Sequence, residues 1–172
     1  AAWDADAFAA AVATASTLGG SEPLAEAEAV EWAIRAADAL RRLALAGTTA
    51  YNLAEALPAL RQATRHENPN LRVAAAQALA MFPAAEAQQA VAAVALDGDA
   101  GEEVRLAAFN ALADEARRFG SHVTDAQGEQ IVAVVTGGDS RDLREAAAQA
   151  LGALDLASNK IKDLIETAAP RQ

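Results

Sequence analysis

The sequence predicts an all-α protein built as a right-handed superhelix of about four helix pairs plus a terminal helix, and three observations carry that prediction. Apolar residues recur at three- and four-residue spacing along nearly the whole chain, with no alternating stretch long enough for a strand. Alanine supplies 51 of the 172 residues while aromatics make up only 4%, so the apolar material is small in volume and helix-favouring. A nine-residue pattern also returns along the chain at intervals suited to one helix pair.

Breakers and caps place the elements in order. A first helix near 3–18 ends at Gly19-Gly20, and Ser21-Glu22-Pro23 opens a second near 23–46 that Gly47 closes. Thr48-Thr49 precedes a third near 50–63. Asn68-Pro69 is the clearest start, for a helix at 69–82: Asn accepts from the first free amides, and Pro lacks only a donor that is orphaned there anyway. Helices near 84–96 and 101–119 flank the Asp97 to Ala100 loop, with Gly120 at the far end. Thr124-Asp125 opens 124–136, Gly137-Gly138 closes it, and 140–155 follows with Gly152 near its end. Ser158-Asn159 caps a last helix at 159–168, expected to act as a lid on the stack.

The repeat is visible by self-comparison. Leu71-Arg72-Val73-Ala74-Ala75-Ala76-Gln77-Ala78-Leu79 returns as Val104-Arg105-Leu106-Ala107-Ala108-Phe109-Asn110-Ala111-Leu112 and as Leu143-Arg144-Glu145-Ala146-Ala147-Ala148-Gln149-Ala150-Leu151, at offsets of 33 and 39 residues. A weaker copy lies upstream, where Trp32, Ala36, Ala39 and Leu40 hold the apolar positions and Ala33 replaces the arginine. A helix pair of this size cannot bury its own apolar face and stacks on its neighbours, which makes an α-solenoid, and small alanine faces let the layers approach closely. All of 1–172 reads as one such domain, with inner helices near 23–46, 69–82, 101–119 and 140–155.

A helix ending in Asp or Gly, a short loop, then a hydrophobic residue, Arg, a run of alanines and Ala-Leu resembles a HEAT repeat, in particular the short bacterial type also found in phycobilin lyases. The likeness spans about residues 24–156. It implies an outer helix followed by the Arg-bearing inner helix, giving pairs 50–63 with 69–82, 84–96 with 101–119, and 124–136 with 140–155, with 3–18 as the outer partner of 23–46. It also implies that Arg72, Arg105 and Arg144 bond the preceding turn, with Asp97, Asp99 and Asp139 as suitable acidic partners. Function does not follow from the motif, because the family includes scaffolds, transport factors, lyases and enzymes.

Composition excludes several chemistries. With 24 acidic against 14 basic residues the net charge is −10, so no surplus of cations exists for a phosphate backbone and no nucleic-acid partner is expected. No apolar run approaches the roughly 20 residues that cross a bilayer, so no membrane insertion is expected. The reading is of a soluble monomer, or of one part of a longer chain; the cytoplasm is the default compartment, and a start at Ala1 leaves a mature secreted product open. Zero cysteines remove disulfides and thiolate sites. HEAT-built deoxyhypusine hydroxylases hold two irons through repeated His-Glu pairs, whereas this chain has one pair, His66-Glu67, and one other histidine, His122. No metal, no cofactor and no catalytic residue are expected.

A binding surface is the better candidate. With Leu71, Ala75, Ala78, Leu79 and Phe82 as the buried stripe, Gln77 points away from it, and its equivalents are Asp38, Asn110 and Gln149. Four polar side chains thus fall in register on successive inner helices, which line the concave face of a solenoid. Ile34, Val73, Leu106 and Glu145 form a second, partly apolar row beside them. Armadillo repeats, relatives of the fold, use a row of asparagines to bind a peptide backbone, so the resemblance implies the same use for Asp38, Gln77, Asn110 and Gln149. The expectation is a non-enzymatic scaffold or adaptor for a protein or peptide, with a basic segment favoured by charge; the alternative is a phycobilin-lyase-like chromophore-handling enzyme or subunit.

Overall fold

The computed structural model describes residues 23–47, 52–137 and 140–154, and every regular element among them is helical. They are α1 (Pro23–Leu45), a 3-10 turn (Leu53–Ala56) leading into α2 (Leu57–Ala63), α3 (Pro69–Leu79), α4 (Ala85–Leu96), α5 (Glu102–Phe119), α6 (Asp125–Thr136) and α7 (Arg141–Ala153). The helices expected at 3–18 and 159–168, and the cap at Ser21-Glu22, lie outside the described residues. The pairing is the expected one: α2 packs on α3, α4 on α5 and α6 on α7. The inner helices α1, α3, α5 and α7 stack one on the next, and α2, α4 and α6 form the outer layer.

The starts follow from side-chain chemistry. The Asn68 side chain accepts from the Asn70 and Leu71 amides at 3.0 and 3.1 Å, Thr124 and Gln127 form a reciprocal capping box, and the Ser140 hydroxyl accepts from the Leu143 amide at 3.2 Å. Two elements are shorter than the sequence suggests, and proline is the reason both times. Pro58 has no amide to donate to the Ala54 carbonyl, so the segment opens as a 3-10 turn and only then becomes α2. Pro83 disfavours helical geometry at Phe82, and α3 therefore ends at Leu79, tightening through i to i−3 bonds from Met81 to Ala78 and from Phe82 to Leu79. After α5 the chain turns at Gly120 with φ +79°, a left-handed conformation that a side chain would strain.

The predicted buried stripe is observed three times over. Leu71, Ala75, Ala78, Leu79 and Phe82 are buried, as are Val104, Ala108, Ala111 and Leu112 on α5 and Leu143, Ala147, Ala150, Leu151 and Leu154 at α7. The upstream copy departs from this. Trp32, aligned with buried Leu71, is 57% exposed and lies under the Arg35 guanidinium at 5.3 Å, while the core positions of α1 are Val30, Ala33, Ala37 and Leu40. Among the described helices α1 packs chiefly on α3, so its buried stripe is turned toward that neighbour and Trp32 falls at the edge.

One residue breaks the stripe. The position filled by Phe82 in one layer and by Leu154 in another is Glu115 on α5, a carboxyl only 1% exposed whose Oε2 has no hydrogen-bond partner. Burial pushes its pKa from 4.5 up to about 8. The unfolded chain releases this proton near 4.5 while the folded chain keeps it to about 8, so the folded state is favoured most below the lower value and loses stability as pH rises between the two. The penalty at pH 7 is about 3 kcal/mol. Glu115→Gln is expected to flatten the decline in melting temperature between pH 5 and 8, and Glu115→Leu to raise the melting temperature at pH 8 as well. A parent protein whose thermal stability is level over that range would show that the fold does not raise the Glu115 pKa. Leu112→Ala should cost about 2–5 kcal/mol in chemical denaturation, and Leu79→Asp or Leu112→Asp should abolish a cooperative helical melt followed by circular dichroism.

Candidate functional site

The inner helices enclose two adjoining recesses on the face away from the outer layer. One, of about 440 Å³, is lined by Ile34 and Asp38 of α1, Asn70, Val73 and Gln77 of α3, and Glu103 of α5. The other, of about 450 Å³, lies toward the C-terminal ends of the same helices, between Arg41 and Leu45, Gln77 and Met81, and Asn110 and Arg118. Gln77 and Ala107 belong to both, so the two form one groove across α1, α3 and α5. Helical spacing explains the lining: Ile34, Asp38, Arg41 and Leu45 on α1, and Val73 and Gln77 on α3 with Met81 in the turn just beyond it, follow three- and four-residue steps along one face.

Of the expected row, Asp38, Gln77 and Asn110 are brought together on this groove, while Gln149 is exposed on α7 and lines neither recess. Their states differ. Asp38 is held by its own helix, with Oδ1 3.3 Å from Arg41 Nη2 and Oδ2 3.2 Å from Arg42 Nη2. The carboxamides of Gln77, Asn110 and Gln149 make no side-chain hydrogen bond among the described residues. From the second row, Ile34 and Val73 line the groove as expected, Leu106 is half-buried outside it, and Glu145 accepts from Arg141 Nε at 2.7 Å, which raises the Arg141 pKa. Arg41, Leu45, Met81 and Arg118 are not among the residues expected from the sequence; they sit three, seven, four and eight residues beyond the row, and the same periodicity that placed the row reaches them.

The outer layer uses its carboxamides differently. Gln88 is fully buried on α4, donates to the Gly120 carbonyl at 2.9 Å and accepts from the His122 amide. Gln89 donates to the His122 carbonyl at 3.1 Å, and Gln127 donates to the Gln89 carbonyl at 2.9 Å. These three amides tie α4 to the connection before α6. His66, half-buried, accepts from the Asn68 amide at Nδ1, 3.0 Å, which makes it part of the turn before α3.

The arginines are also only partly as expected. Arg105 Nε donates to the Ala95 carbonyl at 3.1 Å, in the preceding helix of its own pair. Arg72 instead reaches forward to Asp97 of the next pair, Nη2 to Oδ2 at 2.5 Å, across a recess of about 420 Å³ between α2 and α4. That guanidinium holds the Asp97 carboxyl below its usual range. Asp99 is no partner of these arginines; its amide donates to Asp97 Oδ1 at 3.0 Å and shapes the turn. Asp139 lies outside the described residues.

Stacked helix pairs with buried alanine faces and a groove along the inner layer define an α-solenoid of helical repeats. The chain belongs to the HEAT-repeat family: the family model for HEAT repeats matches residues 26–113, just over half of its length. A comparison with curated proteins found no match. Among the described residues no helix is long and apolar enough to cross a membrane, and no three His, Asp or Glu side chains gather as a metal site.

The two sets of carboxamides should separate in mutagenesis. Gln88→Leu leaves the Gly120 carbonyl and the His122 amide unpaired and should cost about 1–3 kcal/mol, whereas Gln77→Ala should stay within about 0.5 kcal/mol of the parent in urea unfolding. Equal losses would show that Gln77 has a structural partner.

Proposed function

We propose that this chain is a non-catalytic binding domain that holds an extended protein or peptide segment along the groove of its inner helices. HEAT repeats are in general protein-interaction scaffolds. The observation that carries the reading here is the contrast in carboxamides: those of the outer layer are spent on the fold, and those of Gln77, Asn110 and Gln149 are unspent and in register. A carboxamide offers both a donor and an acceptor, which matches the backbone of an extended chain without reading its side chains. Ile34 and Val73 add apolar surface for a side chain of the guest.

Charge favours a basic guest. The net charge of −10 steers a cationic segment toward the molecule, and Glu67 and Glu103 stand at the N-terminal ends of α3 and α5 beside the groove, with Glu31 of α1 lining the adjoining recess. Association should slow as salt rises. The partner is to be found by affinity capture with the whole chain as bait at physiological salt. Replacing Gln77, Asn110 and Gln149 together by Ala should leave circular dichroism and melting temperature nearly unchanged and weaken that partner at least about tenfold, which corresponds to 1.4 kcal/mol. A triple variant that binds as tightly as the parent would remove the groove as the docking surface and direct attention to the outer helices.

A further inference from the structure

We infer that the recess between Arg41 and Arg118 is a pocket for the C-terminal carboxylate of a bound peptide, with an apolar last residue. The inference rests on the reading of the groove as a peptide site and names what one part of it recognises.

The first observation is a local reversal of charge. At the C-terminal ends of α1 and α5 stand Arg41, Arg42, Arg117 and Arg118 against Asp38 and Asp114, an excess of two positive charges on a chain whose total is −10. The carboxylates there are already engaged: Asp38 with Arg41 and Arg42, and Asp114 with Arg117 at 2.8 Å. Arg118 has no carboxylate partner among the described residues; it crosses from α5 to the turn after α3 and rests Nη1 on the Met81 sulfur at 2.9 Å, a weak acceptor for a charged donor. Arg41 is only half-satisfied, since its Nε and Nη2 both share one oxygen of Asp38 at 3.4 and 3.3 Å. Arginine in a last helical turn favours the macrodipole, which accounts for these positions along α1 and α5 but not for a guanidinium laid across the groove on a thioether. A carboxylate is the group that accepts from two guanidiniums in a plane.

The second observation decides which carboxylate. The same recess of about 450 Å³ holds the unspent amides of Gln77 and Asn110 and the apolar side chains of Leu45, 52% exposed, and Met81. A negative charge, a peptide group and an apolar side chain must therefore meet on one residue of the guest. A chain-terminal aliphatic residue joins all three. An internal Asp or Glu brings the charge on the side chain itself and leaves Leu45 and Met81 without a partner.

The test uses three small probes on the full chain at low salt, followed by the side-chain amide signals of Gln77 and Asn110 and the Arg Nε signals in proton–nitrogen correlation spectra. N-acetyl-leucine carries the proposed group, N-acetyl-leucinamide removes the charge, and the α-amide of N-acetyl-glutamate moves the charge to a side chain. N-acetyl-leucine is expected to shift Gln77, Asn110 and Arg118 with a dissociation constant on the order of 1–10 mM, as suits so small a ligand. Each of the other two should bind at least about fivefold more weakly, and added salt should weaken the first. Arg118→Gln and Arg41→Gln should each abolish the response while leaving the helical spectrum intact, and Gln130→Ala, exposed on the outer helix α6, should not alter it. Equal shifts from the leucinamide, or a response that survives in both arginine variants, overturn the pocket; equal binding of the glutamate amide overturns the terminal assignment. Failure here leaves the groove reading standing, because the triple carboxamide variant tests that separately.

Discussion

Close approach of alanine-faced helices is the constraint on which the structure depends. The inner helices pack on one another and carry Ala33, Ala37, Ala75, Ala76, Ala78, Ala108, Ala111, Ala146, Ala147 and Ala150, all buried. A small side chain buries little area by itself, so each layer is stable only when another lies directly against it, and dispersion contacts between backbones replace those that larger side chains would make. The few large buried residues, among them Leu40, Leu60, Leu71, Leu79, Phe109, Leu112 and Ile131, act as fixed points in an otherwise thin interior. The groove follows directly, because closely spaced inner helices bring residues of α1, α3 and α5 to the rim of a single recess.

Within that frame polar groups sort by layer. Amides on the outer helices meet backbone groups of the connection at 120–124 and are consumed there. The amides of Gln77 and Asn110 line the groove, where the neighbouring wall is another helix with its backbone bonds already internal, and no described side chain pairs with them. Glu115 is the exception to orderly sorting. It occupies an apolar position of the stripe without a partner for Oε2, and the fold accommodates it by keeping the proton.

Much of this was legible in the residues themselves. Three copies of one pattern located α3, α5 and α7 and their buried stripes, since a repeat imposes the same environment at each equivalent position. The row at Asp38, Gln77 and Asn110 could be placed for the same reason. What escaped was whatever depends on direction across layers. Arg72 was expected to turn back and instead reaches forward to Asp97, because repeat position fixes where an arginine stands and not which of two turns its long side chain meets. Trp32 was matched to Leu71 and is exposed, since α1 is related to the later copies only loosely in sequence. Glu115 escaped because the nine-residue pattern stops at Leu112 and the stripe was carried on, to Phe82, in one copy only.

The links between successive pairs bear on how the molecule comes apart. Arg72 joins α3 to the turn after α4, Gln88 and Gln89 hold α4 to the connection at 120–122, and Gln127 joins α6 to α4. In a one-dimensional array the sharpness of unfolding is set by coupling between neighbours relative to the stability of each unit. Here two directional side-chain bonds, Arg72 to Asp97 and Gln127 to the Gln89 carbonyl, lie between pairs rather than within them. Such an array resists fraying from one end: loosening one pair also strips bonds from the next, so the pairs from α2 to α7 are coupled toward a single cooperative block.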